Sequence, residues 1–167
     1  NDGIYCIGAD GKPKAHFEPT EDAKHPVPST IMSVYEDSDR NIWIGSYGNG
    51  LYKYSSSDRG INQLLSIRKT HSPITSIALL QDKILLGTLG DGMYHFNMRT
   101  STEKENYKSK DKFKDHILSI GQNKDITLVG HDGIGLLYSF QNNNSQEIQW
   151  KEFTASTELE KITTFYI

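Results

Sequence analysis

A single cysteine, Cys6, stands among 167 residues. No internal disulfide can form, and neither a Cys-rich zinc site nor a disulfide framework is possible. Excess basic charge is missing too: 18 Lys and Arg against 21 Asp and Glu give a net charge of −3. There is no electrostatic footprint for nucleic acid and no cationic helix for a membrane surface, so neither is an expected partner. No apolar run approaches the roughly 20 residues that span a bilayer, and no signal-peptide pattern opens the chain. Helical periodicity with caps is absent as well. The six histidines lack HxxxH or HExxH spacing, and no G-x-S-x-G elbow or G-x-G-x-x-G loop is present, so no metal, cofactor or catalytic residue is expected.

What the sequence does contain is self-similarity, the first property to test because a missed period changes the whole fold. "IMSVYEDSDRNIWIGSYGNGLYKY" (31 to 54), "ITSIALLQDKILLGTLGDGMYHF" (74 to 96) and "ILSIGQNKDITLVGHDGIGLLYSF" (117 to 140) align with one another. Gly45, Gly87 and Gly130 recur about 43 residues apart, as do Ile31, Ile74, Ile117 and Ile162. "NDGIYCI" at the start matches the "GNGLYKY" half of a repeat, and "ITTFYI" at the end matches the "ITSIAL" half. Both ends are therefore expected to be cut from something longer.

Each repeat reads as short strands separated by turn residues. "IMSVY" alternates, "NIWIGS" is a β-branched and aromatic run ending near Gly, and "GLYKY" alternates again after Gly-Asn-Gly. A weaker fourth strand is expected near "QLLSIR", around "ENYKS" or "DKFKD", and in "EIQWKEF". Four short strands in about 43 residues match the blade of a β-propeller. The expected fold is all-β, a propeller fragment of about four blades of four antiparallel strands. The expected boundaries are a partial blade at 1–24, blades at about 29–69, 72–114 and 115–155, and a partial blade at 160–167. A run of blades that does not close leaves apolar faces open, so the chain is expected to associate or to be marginally stable.

The repeated glycines, 45, 48 and 50 with their counterparts, point to a backbone requirement in an inter-strand loop rather than to a unique catalytic loop. Trp43 has Leu85 and Leu128 as counterparts, which makes it a core residue between blades rather than a stacking platform. Asp37, Asp39 and Asn41 sit at i, i+2 and i+4, as in a calcium loop, but Gly and Glu are missing where an EF-hand needs them; a solvated hairpin turn is expected instead. Residues 101 to 115, "STEKENYKSKDKFKD", read as a long solvated connection.

The run "SVYEDSDRNIWIGSYGNGLYKY" resembles the two-component regulator propeller repeat: a small-residue strand, an acidic turn, an apolar-Trp-apolar-Gly-Ser/Thr strand and a Gly-x-Gly-Leu turn. Residues 74 to 96 lack the Trp and shorten the turn; 117 to 140 keep mainly the glycines. The resemblance implies the periplasmic sensor region of a hybrid two-component histidine kinase. That region would bind an oligosaccharide released from a glycan and signal to a kinase outside these residues. It also implies a parent anchored in the inner membrane; the unclosed run of blades adds the parent's remaining blades, or a second copy, as expected partner.

His25, His71 and His116 each precede a first strand, and Tyr47, Asn49, Asp91, His131 and Asp132 lie between second and third strands. In a propeller both sets of connections open on one face. Tyr47, Asn49, His71, Asp91, His116, His131 and Asp132 are the expected ligand face, because a sugar offers apolar ring faces rimmed by hydroxyls. The alternatives are a protein–protein interaction module, which predicts an exposed apolar or aromatic loop face, and a glycan-processing propeller enzyme, which would turn over substrate unaided.

Overall fold

A computed structural model of the chain describes residues 3–20, 27–55, 57, 60–65, 72–80, 83–97, 102–104, 116–123, 126–140 and 150–153. Every regular element among the described residues is a β-strand. The chain divides into two compact units, Asn1–Pro73 and Ile74–Ile167.

In the first unit, β1 (Ile4–Ile7) and β2 (Pro13–Phe17) form an antiparallel pair. β3 (Ile31–Glu36), β4 (Ile42–Ser46), β5 (Leu51–Ser55) and β6 (Gly60–Leu65) form the first four-stranded blade, in that order. Side chains alternate across the sheet, so Ile44 stands opposite Tyr52 on one face and Trp43 opposite Lys53 on the other. We call the face with Ile44 rear and the face with Trp43 forward. The rear face buries Ile44, Tyr52 and Ile61 with Val27, and Ile4 and Phe17 of the β1–β2 sheet pack against that cluster. The Phe17 ring meets Tyr54 edge-on at 5.5 Å. Each such fully buried side chain contributes about 1.5–3 kcal/mol relative to exposure.

In the second unit, β7 (Ile74–Leu80), β8 (Lys83–Thr88), β9 (Met93–Asn97) and β10 (Thr102–Lys104) form the second blade. β11 (Ile117–Gln122), β12 (Ile126–His131), β13 (Gly135–Phe140) and β14 (Lys151–Glu152) form the third. β10 lies directly before the fourth-strand segments expected here, which are themselves outside the described residues. Thr102–Lys104 pairs with His95–Asn97, upstream of both expected segments, and part of the anticipated connection is strand. The ladder is continued by backbone register from β9, which an absent side-chain pattern does not reveal. Residues 105–115 and the last partial repeat, 160–167, lie outside the described residues.

The three blades repeat in register as well as in sequence. Ile31 pairs with Ser46 and Ser33 with Gly45; Ile74 with Thr88 and Ser76 with Gly87; Ile117 with His131 and Ser119 with Gly130. A register shift falls at the same step each time, which places one bulge at the start of every first strand. Between the second and third blades, Met93 on a forward face joins Ile117, Val129 and Leu137 in one buried cluster. Gly87 shows how close this junction is: a Cβ there would stand 2.5 Å from Ile117 Cγ2 and would also strike Ser76 Oγ. Thr75 Oγ1 donates to the Ile117 carbonyl across the same junction.

Candidate functional site

The loops between second and third strands are built alike in the first two blades. Ser46 Oγ donates to the Gly50 carbonyl at 2.8 Å and accepts the Asn49 N–H at 3.0 Å. Thr88 Oγ1 donates to the Gly92 carbonyl at 2.7 Å and accepts the Asp91 N–H at 3.2 Å. A hydroxyl thus closes each loop from inside, and the glycines are forced by the same geometry. Gly48 and Gly50 have φ of 80° and 88°, Gly90 and Gly92 123° and 76°, and Gly133 and Gly135 90° and 95°. This left-handed region costs a residue with a Cβ about 1–2 kcal/mol, which is why glycine recurs three times.

In the first unit this loop displays Tyr47, 59% exposed, whose N–H donates to the Thr30 carbonyl at 3.0 Å. Asn49 lies beside it in the same loop. In the second unit Asp91 sits in the second blade's loop, and its Oδ2 is shielded from solvent without a donor among the described residues. Leu89, exposed in that loop, pairs through its backbone with His116. His116 accepts the Asp132 N–H at 2.9 Å on its carbonyl, and its Nδ1 lies 3.3 Å from Asp132 Oδ2, both side chains about half exposed. The second unit therefore brings together His116 and Asp132, with Leu89 joined to His116 through the backbone and Asp91 two residues on. His71 lies outside the described residues, as does His25.

His131 departs from the expected ligand face. It occupies the position of Ser46 and Thr88 at the end of the second strand and is 4% exposed, so the ring is enclosed rather than displayed. A bulky imidazole takes the place of the loop-closing hydroxyl there. Ser46 and Thr88 escaped notice as loop-forming groups, although the Gly-Ser/Thr step of the repeat was their signal.

The acidic turn of the first blade is a hairpin with Ser38, Asp39 and Arg40 exposed, but Asp37 departs from the solvated turn expected. Asp37 is 8% exposed, and its Oδ1 accepts the N–H groups of Asp39 and Asn41, both at 2.9 Å. Asn41 Nδ2 donates to both oxygens, and Trp43 Nε1 donates to Oδ2 at 2.8 Å. Burial pushes the carboxyl upward, but the bonds from Asn41, Trp43 and Asp39 outweigh it and hold Asp37 below the usual carboxylate range. The carboxylate faces N–H donors, which suits an anion locked into a turn rather than a cation ligand. The turn closes with Arg40 in the left-handed region at φ 64°, its N–H donating to the Asp37 carbonyl. Trp43 is 2% exposed, as a core residue should be, and Lys53 Nζ lies 5.1 Å from its ring centroid.

Residues 26–48 match the family model for the two component regulator propeller. Over this segment the chain is similar to that family's repeat. The repeat's acidic turn and Trp strand are the Asp37–Trp43 clip described above. No curated protein matches the chain. Two solved structures of the extracellular domain of BT4673 from B. thetaiotaomicron are similar in fold. One is described as a one-component system and matches with a TM-score of 0.70 at 20% identity; the other, described as a hybrid two-component system, matches with 0.70 at 19%. Both align with 99% of this chain, which spans only 22% of their length. The N-terminal domain of Nup159 is similar at a TM-score of 0.58 and 15% identity, covering 90% of this chain and 35% of that one. At these identities the likeness is one of fold: four-stranded antiparallel blades of a β-propeller.

Proposed function

We propose that the chain is part of an extracytoplasmic, periplasmic sensor propeller of a hybrid two-component histidine kinase. In this reading it binds a glycan-derived oligosaccharide through its rim loops, and the kinase that receives the signal lies outside these residues. The observation that carries the reading is the match of residues 26–48 to the two-component regulator propeller repeat. The extracellular domain of BT4673, described in one structure as a hybrid two-component system, supports it through shared fold.

The rim chemistry fits a sugar. In the first unit Tyr47 offers an exposed aromatic face and Asn49 an amide; in the second unit Asp91, His116 and Asp132 offer carboxylate and imidazole groups on loops. Asp91 Oδ2, shielded and without a donor among the described residues, suits a ligand hydroxyl. The function assigned is binding rather than turnover. The interaction-module alternative draws on the exposure of Tyr47 and Leu89 in the same loops. Calorimetric titration with a panel of oligosaccharides distinguishes the two. The sensor reading expects saturable heat with one member and at least a tenfold weaker response from the variant in the unit that binds, Tyr47→Ala for the first unit or Asp91→Ala for the second. Silence across the panel, or unchanged affinity in both variants, sinks it.

A further inference from the structure

Asn49–Gly50 is the sole Asn-Gly step in the sequence, and it lies in the loop between β4 and β5. An asparagine loses its amide when the backbone nitrogen of the next residue attacks its side-chain carbon. A following glycine hinders that attack least, because it carries no Cβ. Asn49 is exposed to water while Gly50 is buried behind it. Among the described residues no acceptor stands against the Gly50 N–H, so the attacking nitrogen has no hydrogen bond to give up.

The clip that shapes the loop does not use the atoms that react. Ser46 Oγ, fully buried, holds the Asn49 N–H at 3.0 Å and the Gly50 carbonyl at 2.8 Å. Reaction takes place at the Asn49 side-chain carbon and the Gly50 nitrogen instead. The second blade shows that the same clip accepts an acid: Asp91–Gly92 stands where the first blade has Asn49–Gly50. Its Asp91 N–H meets Thr88 Oγ1 at 3.2 Å, and that hydroxyl donates to the Gly92 carbonyl at 2.7 Å. Asn41 is the contrast within the same blade. Its Nδ2 donates to both Asp37 oxygens, and the residue after it is the β-branched Ile42, in a strand.

We propose that Asn49 is a deamidation site, at which the folded loop passes to an aspartyl form that matches Asp91. The Gly50 nitrogen bonds to Asn49 Cγ, the Cγ–Nδ2 bond breaks, and the proton from the Gly50 N–H leaves with the amide group as ammonia. A five-membered succinimide remains, and water opens it. Addition at the side-chain carbonyl restores the backbone with aspartate at position 49. Addition at the backbone carbonyl gives isoaspartate, whose extra main-chain carbon pulls apart the two groups that Ser46 Oγ bridges. The clip therefore favours the aspartyl product, which places a negative charge beside the exposed Tyr47.

Incubation of the folded chain in mildly alkaline buffer, followed by peptide mapping in a mass spectrometer, tests this. The amide-to-acid mass rise should appear in the peptide holding residues 49 and 50, about tenfold or more faster than at Asn41, where a β-branched neighbour blocks the attack. Asn49→Gln keeps an amide but needs a larger ring, so that peptide should hold its mass. Asn49→Asp should fold like the wild type by circular dichroism, and its peptide should comigrate with the main product of the aged wild type. The folded chain should also give a smaller isoaspartate fraction than the chain unfolded in urea. No conversion at Asn49 in the folded chain, conversion only after unfolding, or an isoaspartate fraction equal in the two states would each overturn the proposal. All of these readings are taken without oligosaccharide, so they are independent of the sensor function.

Discussion

Gly87→Ala adds one carbon at the tightest point of the junction between the second and third blades. The new Cβ would stand 2.5 Å from Ile117 Cγ2, where carbon atoms prefer about 3.5–4.0 Å. Ile117 is fully buried and Ser76 closes the other side, so neither neighbour can simply swing away. Overpacking of this kind costs about 1–3 kcal/mol. Against it stands the gain of about 0.5–1 kcal/mol from replacing glycine inside a strand, which leaves a net loss of up to about 2.5 kcal/mol. The decisive assay is a double-mutant cycle with Ile117→Ala, read from urea unfolding midpoints. Ile117→Ala alone should cost about 2–5 kcal/mol. The pair should lose at least about 1 kcal/mol less than the two losses added, because the truncated side chain vacates the space that the added methyl group needs. Additive losses in the cycle would refute the contact on which the junction rests.

Two further outcomes follow from buried polar groups. Asp37→Asn should lower stability at neutral pH by about 1–3 kcal/mol, since charge-assisted bonds become neutral ones. Because the folded carboxyl titrates below its ordinary value of 3.8, the wild-type advantage is fully present above that value and is lost as pH falls through the depressed folded pKa. A gap between the two proteins that stays constant down to pH 2 would contradict this. Thr127 is 1% exposed and its hydroxyl finds no partner among the described residues, in a row where the other blades have Ile42 and Ile84. Thr127→Val should therefore raise stability by about 1 kcal/mol, measured by thermal or urea unfolding; a loss would mean that the hydroxyl has a partner.

Much of the architecture was legible because repeats expose backbone requirements. One glycine in a loop is ambiguous, whereas Gly48, Gly90 and Gly133 at one place in three repeats require a shared left-handed turn, and all three adopt it. Trp43 was readable as core for a related reason: its counterparts Leu85 and Leu128 have no use for an indole's polar edge. Asp37 was misjudged because an aspartate in a hairpin turn is usually solvated, and its deciding partner, Trp43 Nε1, reaches it only after the chain has turned. His131 was misjudged because its place in the repeat, and not its loop-like neighbours Asp132 and Gly133, determines its burial. Of the candidate loop residues, Tyr47 is exposed and the His116 and Asp132 side chains are about half exposed. The contact between His116 and Asp132 comes from a register pairing that no local pattern announces.

The most direct test of the sensor function is to record the amide resonances of the chain while titrating the oligosaccharide panel. The account predicts saturable shifts in the loops of a unit, 47–50 in the first or 89–92 and 132–134 in the second, with the outer strands β6 and β14 unmoved. Shifts confined to β6 and β14, or none with any oligosaccharide, would contradict it.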